Sequence, residues 1–450
     1  MGNSDNNVFY GSFGKEYLDI VRGEGVYIYD SNGKKYLDAA SGVCVVSVGH
    51  GNEEIISAIS NQIKQISFTY GVADNIPRQK LAKKLDEWAP SGMGNTKTIF
   101  SSSGAEANES AIKLSFQYHQ ERGNLNKTKI IGRWQSYHGN TVSTLSVGGR
   151  TSWRNSYAPL LHDSLHISPP YCYRCSSTDS HSSCAEYFAN ELQQVIQREG
   201  ADNISAFIAE PIIGTSMSAV VPPKGYYEII RSICDDNDIV FIADEVMSGM
   251  GRTGKKWGIE HWNVSPDIIT TSKGVGAGYS PISVSIFSEK IWQAIASGSG
   301  STTHSSTYGG NPLSCAVGCA VIDYIEKNDL ISNAEVMGEK LMTKLSEELS
   351  DIPYVGDIRG KGLLIGIEIV SDKNSKDIFD PKLDLAHKIE DEARKNGLII
   401  LSGVPGLVNG VGGDHLEICP PYIIDEGHVN FIASTLKKSI SDVIFSIEMV

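Results

Sequence analysis

Through the middle of the chain, short apolar runs alternate with longer amphipathic stretches. The runs at 97–101, 129–134, 204–210, 239–244, 268–272 and 283–287 read as strands. Between them, 105–120, 185–198 and 225–237 carry apolar residues at helical spacing. Alternation of this kind predicts βαβ units on a mostly parallel sheet. The two ends read differently. Residues 24–38 predict an antiparallel hairpin turning at Asp30-Ser31-Asn32-Gly33. Residues 335–450 mix amphipathic helices (333–349, 383–396) with short strands such as 362–369. The expected organisation is a large α/β domain over 67–330 and a smaller α+β domain built from 1–66 and 331–450.

Composition narrows the class. Of 450 residues, 40% are apolar and 20% charged, which excludes a disordered chain. The 39 Lys and Arg against 53 Asp and Glu leave a net charge of −14. Nothing supplies the basic stripe that a nucleic-acid partner requires. No apolar run approaches the length of a bilayer-spanning helix, so no membrane partner is expected. The first residues lack the basic start and apolar stretch of a secretory signal, and a cytoplasmic location is expected. Eight cysteines are too few for a disulfide scaffold. Cys172, Cys175, His181 and Cys184 have the C-x2-C-x5-H-x2-C spacing of a tetrahedral zinc set. Without a second CxxC they read as a loop with free thiols, and no metal is assigned to the chemistry.

Four features carry chemistry in combination. The first is Ser101-Ser102-Ser103-Gly104-Ala105-Glu106, which leaves a strand and opens a helix, with Ser103 and Glu106 at capping-box spacing. Such a start draws a phosphate through its free N–H groups. The second is an apolar strand ending in Asp244-Glu245, where polar residues line the ligand crevice of open α/β sheets. In the third, Lys273 stands between an apolar strand and a glycine run, where partial burial makes an amine nucleophilic. The last is a loop rich in hydroxyls and glycine, His304 to Pro312. Singly these are a helix cap, a solvated strand end, a surface lysine and a turn. Together they describe a phosphate cradle, an acid for a ring nitrogen and a nucleophilic amine: a pyridoxal phosphate site. Asp244 and Lys273 are about one βαβ crossover apart, which puts them on one edge of the sheet.

At these motifs the chain resembles the class III (ω) aminotransferases, fold-type I enzymes dependent on pyridoxal 5′-phosphate. The likeness runs from Gly25-Val26-Tyr27 to Ile418-Cys419-Pro420-Pro421. It is most specific at Ser103–Asn108, Tyr137-His138-Gly139, Ala209-Glu210-Pro211, Asp244-Glu245-Val246, Gly251–Gly254, Ser272-Lys273-Gly274 and Gly310-Asn311-Pro312. The resemblance implies a mostly parallel seven-stranded sheet flanked by helices. It implies that Lys273 holds the cofactor covalently and then moves a proton, while Asp244 pairs with the ring nitrogen. Ser103, Gly104 and Ala105 would hold the phosphate, joined by Thr307 from a second subunit. That makes a homodimer with active sites at the interface the working unit, whether or not dimers pair into tetramers. Tyr137 and Val246 would cover the two ring faces, His138 would support its loop, and Glu210 would salt-bridge an arginine when no acidic substrate is bound.

The implied activity is ping-pong amino transfer between a primary amine or ω-amino acid and a 2-oxo acid, with pyruvate-type acceptors favoured. Aminomutases, amino-acid epimerases and amino-phosphate lyases use the same apparatus and remain alternatives, because cofactor residues do not set the bond that breaks. Three departures bear on the substrate pocket. Met247 stands where many relatives place a glutamine that bonds the ring hydroxyl, and a thioether donates no such bond. Cys44 stands where pyruvate-type members often have tryptophan, so a roomier wall is expected there, with Trp153 a further lining residue. Residues 409–412 contain no arginine where many relatives carry one for the substrate carboxylate. Arg150, Arg154 and Arg174 are the candidates to replace it.

Overall fold

The computed structural model describes residues 7–12, 17–175, 181–403 and 406–448, the side chains of 181–183 and 448 excepted. Its strands form three sheets. Near the amino end, β1 (Ile20–Glu24), β2 (Tyr27–Asp30) and β3 (Lys35–Asp38) pair antiparallel. The β2–β3 turn needs Gly33, whose φ of 82° is costly for any residue with a side chain.

The central sheet contains β4 (Lys97–Ser101), β5 (Lys129–Arg133), β6 (Leu165–Ile167), β7 (Ile204–Ala209), β8 (Val240–Asp244), β9 (Ile268–Thr271) and β10 (Ser283–Phe287). Its order is β4-β10-β9-β8-β7-β5-β6. From β9 to β6 all neighbours are parallel, and β10 runs against both β9 and β4. β6 has no counterpart in the apolar pattern, since three residues around His166 carry no readable alternation. Along β7 and β8, Ala206, Ile208, Val240 and Ile242 pack with Ala111, Leu114 and Tyr118 of the helix Gly104–Glu121. Phe207, Ala209, Phe241 and Ala243 join the larger core on the opposite face. A central parallel strand has no solvent face, so its residues read as an unbroken apolar run rather than an alternation.

Toward the carboxyl end, β11 (Val355–Lys361), β12 (Leu364–Ile369), β14 (Leu401–Ser402) and β15 (Asp414–Ile418) make an antiparallel sheet, and β13 (Leu398–Ile399) pairs in parallel with β3. Both ends of the chain thus meet in one sheet. Helices Leu330–Glu348, Leu385–Lys395 and Glu426–Glu448 accompany these strands. The seam with the central sheet is tight at Gly366 of β12, where an added Cβ would lie 1.9 Å from the Ser218 carbonyl oxygen. Among the described residues, no helix is long and apolar enough to cross a membrane.

Candidate active site

The carboxyl ends of β8 and β9 lie side by side, with Asp244 in register with Thr270. Asp244 ends β8 and is buried. Its Oδ2 receives Nδ2 of Asn108 at 2.8 Å and lies 2.7 Å from Nδ1 of His138. The Val246 amide donates to Oδ1 at 3.1 Å. A carboxylate held by three groups is fixed in position. Asn108 comes from the second turn of the helix Gly104–Glu121, and its own orientation is locked. Its Nδ2 also donates to the His138 carbonyl at 2.7 Å, and its Oδ1 accepts from Thr270 Oγ1 at 2.6 Å. His138, expected to support its loop, instead turns its buried ring to Asp244. Its Nε2 has no partner.

β9 delivers Lys273 through a sharp bend. Ser272 has φ −153° and ψ −103°, its Oγ donates to the Ile282 carbonyl at 2.9 Å, and a single helical turn opens at Lys273. The capping box forms as its spacing predicts. Ser103 Oγ accepts from the Glu106 amide at 3.3 Å, and Glu106 Oε2 accepts from the Ser103 amide at 3.0 Å. The amides of Gly104 and Ala105 are those an α-helix leaves without an internal acceptor. Gly104 also permits close packing: a Cβ there would meet both Val246 methyl groups at 3.1 Å. Gly139 brings the Tyr137–Gly139 loop against the helix start, where a Cβ would sit 2.6 Å from that of Ala105.

These residues enclose a cavity of about 240 Å³ lined by Ser103, Gly104, Ala105, Asn108, Tyr137, Glu210, Asp244, Val246, Met247 and Lys273, among others. An amine, a fixed buried carboxylate, a helix start and an aromatic ring converge on it, which is the donor set a pyridine-ring phosphate ester requires. Thr307, expected to serve a second subunit, is exposed on this chain. Two expected pocket residues lie elsewhere. Trp153 packs edge-on against Tyr137, ring centroids 5.3 Å apart, and is partly exposed. Cys44 is buried behind the cavity rather than forming its wall.

Electrostatics mark two further groups. Burial pushes the Glu210 carboxyl up; the Gly214 amide donates to its Oε1 at 3.3 Å, and Oε2 has no partner. Of the three candidate arginines, Arg154 is consumed by the carbonyls of Leu145, Ser146 and Gly148. Arg174 is consumed by Glu368 and the Lys376 carbonyl. Arg150 has no hydrogen-bond acceptor among the described residues. It stacks over Trp153 at 4.2 Å and Tyr137 at 5.7 Å, and burial lowers its guanidinium to about 10. Of the cysteine-rich segment, Cys172, Cys175 and Cys184 form no disulfide, and Cys172 is pushed up to about 12 by burial and the neighbouring Cys184. The His181 side chain and residues 176–180 lie outside the described residues, and with them part of the four-residue set.

Comparison with known proteins agrees with this geometry. The family model for class III aminotransferases matches residues 10–440. The chain is 38% identical to the aminotransferase YodT of Bacillus subtilis over 93% of this chain and 94% of that one. It is 36% identical to a taurine–pyruvate aminotransferase of Bilophila wadsworthia, covering 96% and 89%. Among solved structures, an (S)-enantioselective ω-transaminase of Thermomicrobium roseum superposes with a TM-score of 0.89 at 34% identity, covering 95% and 93%. An ω-transaminase of Pseudomonas jessenii, solved with PMP, gives 0.89 at 33% identity over the same shares.

Proposed function

Since the chain belongs to the class III aminotransferases, we propose that it moves an amino group between a primary amine or ω-amino acid and a 2-oxo acid, with a pyruvate-type acceptor, by a ping-pong route. The observation that carries this reading is the convergence of Lys273, Asp244 and the Gly104 helix start on one cavity. Pyridoxal 5′-phosphate, when bound, supplies an electron sink for charge developing at the substrate carbon.

The chain's own residues do the rest. Lys273 anchors the cofactor and carries the proton that must leave one carbon and arrive at another. Asp244 keeps the ring nitrogen protonated, and its worth grows as negative charge develops. Asn108 and His138 hold Asp244 still, so little reorganisation is needed during reaction. The amides of Gly104 and Ala105, with Ser103, would hold the phosphate, Tyr137 and Val246 would contact the ring, and Met247 would border the substrate space. Thr307 reaches the phosphate of a neighbouring subunit in a homodimer. Arg150, which has no hydrogen-bond acceptor among the described residues, takes the carboxylate of the oxo acid; Glu210 acts on it through its charge but makes no ion pair with it.

Half-reaction spectra against amines, amino acids and diamines test this. Donors that bleach the cofactor absorbance without oxo acid, with recovery on adding pyruvate, are expected. Turnover of a lone amine into an isomer, with no oxo acid present, would contradict amino transfer.

A further inference from the structure

Near Lys273, two segments far apart in sequence, 41–44 and 417–419, meet in a buried cluster that amino transfer does not use. Cys44 ends the turn Ser41–Cys44, whose residues all take left-handed angles, φ 47°, 55°, 70° and 57°. For the non-glycine residues this conformation is strained. Such a turn persists only where tertiary contacts dictate it, and strained backbone concentrates at functional positions. Glu417 and Cys419 sit two residues apart at the end of β15, so both side chains point to one face.

The spacing of the three groups is specific. Cys44 Sγ lies 3.5 Å from Glu417 Oε1, Cys419 Sγ lies 3.9 Å from the same oxygen, and the three ligand atoms are all within 4.8 Å of one another. Tetrahedral zinc, with Zn–S about 2.3 Å and Zn–O about 2.1 Å, sets S···O near ~3.6 Å and S···S near ~3.8 Å. The measured S···O separations bracket that value. Glu417 is fully buried and its Oε2 has no hydrogen-bond partner. Its Oε1 accepts from both cysteine thiols, and Cys419 Sγ also donates to the Ala40 carbonyl at 3.2 Å, so the atom left for an added partner to satisfy is the buried Oε2, which is costly to leave unpaired. Charge also fits. Two thiolates, one carboxylate and a dication sum to −1. The balancing charge is at hand in Arg252, whose electrostatic partners include Cys44, Cys419 and Glu417, and whose Nε and Nη2 are unpartnered.

We propose that Cys44, Glu417 and Cys419 form a binding site for a thiophilic divalent cation of the zinc class, with three protein ligands and a fourth position left open. The sulfur donors select against magnesium, calcium and manganese. Binding releases the thiol protons, since only thiolates ligate. The site adjoins Lys273, whose charge acts on both Cys44 and Glu417, but it does not depend on the substrate reading above.

Equilibrium dialysis of the phosphine-reduced holoenzyme against zinc chloride tests the site. C44S/C419S is expected to bind one zinc fewer per chain than the unaltered protein. E417Q, nearly isosteric, should hold that zinc at least tenfold more weakly, and C172S/C184S should retain it. Cadmium provides a second readout on the unaltered protein: one equivalent should add ultraviolet thiolate–metal absorbance of two sulfurs, which requires no variant to fold. Equal zinc stoichiometry in the unaltered protein and C44S/C419S, or loss of the tight zinc in C172S/C184S alone, would overturn the proposal. So would the absence of cadmium–thiolate absorbance.

Discussion

Replacing Arg150 with alanine separates the two half-reactions. Among the described residues its guanidinium has no hydrogen-bond acceptor, and it lies over the rings of Trp153 and Tyr137. A hydrogen bond to a charged group contributes about 1.5–3 kcal/mol. Losing the carboxylate partner therefore predicts a fall of roughly 10- to 150-fold in kcat/KM for the 2-oxo acid, at ~1.4 kcal/mol per tenfold. The two ring contacts are together worth at most about 1–2 kcal/mol and serve both half-reactions, so a monoamine donor without a carboxylate should lose no more than about 5- to 30-fold, and the oxo acid its carboxylate contribution beyond that. Arg150→Lys keeps the charge but not the planar fork, and should fall between the two. Stopped-flow measurement of each half-reaction gives both numbers. An equal loss for the oxo acid and the monoamine would refute the carboxylate role and leave Arg150 a packing residue.

Other perturbations have equally definite outcomes. Asn108→Ala removes a donor to Asp244 and leaves Thr270 Oγ1 without its acceptor; urea denaturation should show a loss of about 1–3 kcal/mol, with a fall in kcat larger than any change in KM. Glu245 is raised to about 7 by burial, although Ser248 and the amides of Gly258 and Ile259 donate to it. A carboxyl whose folded value exceeds the unfolded one binds more protons when folded, so its contribution declines as pH rises from about 4.5 to 7. The shift corresponds to about 3 kcal/mol, and Glu245→Gln should flatten that part of the Tm–pH curve; an unchanged slope would exclude Glu245 as its source. Gly366→Ala drives a methyl group into the Ser218 carbonyl, so soluble yield or Tm should drop sharply.

The large sheet is legible because its strands are buried on both faces and announce themselves as continuous apolar runs. Lys97–Ser101 and Ser283–Phe287 carry the same bounds in pattern and structure. β6 is not legible, being too short to show a period. At the site, Ser103, Asp244 and Lys273 stand out because a helix start and strand ends have local signatures. Asn108 does not, although it locks Asp244: its role rests on a hydrogen bond spanning 136 residues. Arg150, Arg154 and Arg174 are indistinguishable in sequence and are separated by which carbonyls and carboxylates surround them in space. The cluster of Cys44 with Glu417 and Cys419 is hidden for the same reason, since 373 residues divide its first two members. Motifs report what neighbouring residues do together; the long-range partners that tune them appear only once the chain has folded.

The most direct measurement is borohydride trapping of the protein loaded with pyridoxal 5′-phosphate, followed by peptide mass mapping. One pyridoxyl group per chain on the peptide carrying Lys273, and none in Lys273→Ala, is the predicted result. A label on another lysine, or labelling of the Lys273→Ala protein to the same extent, would contradict it.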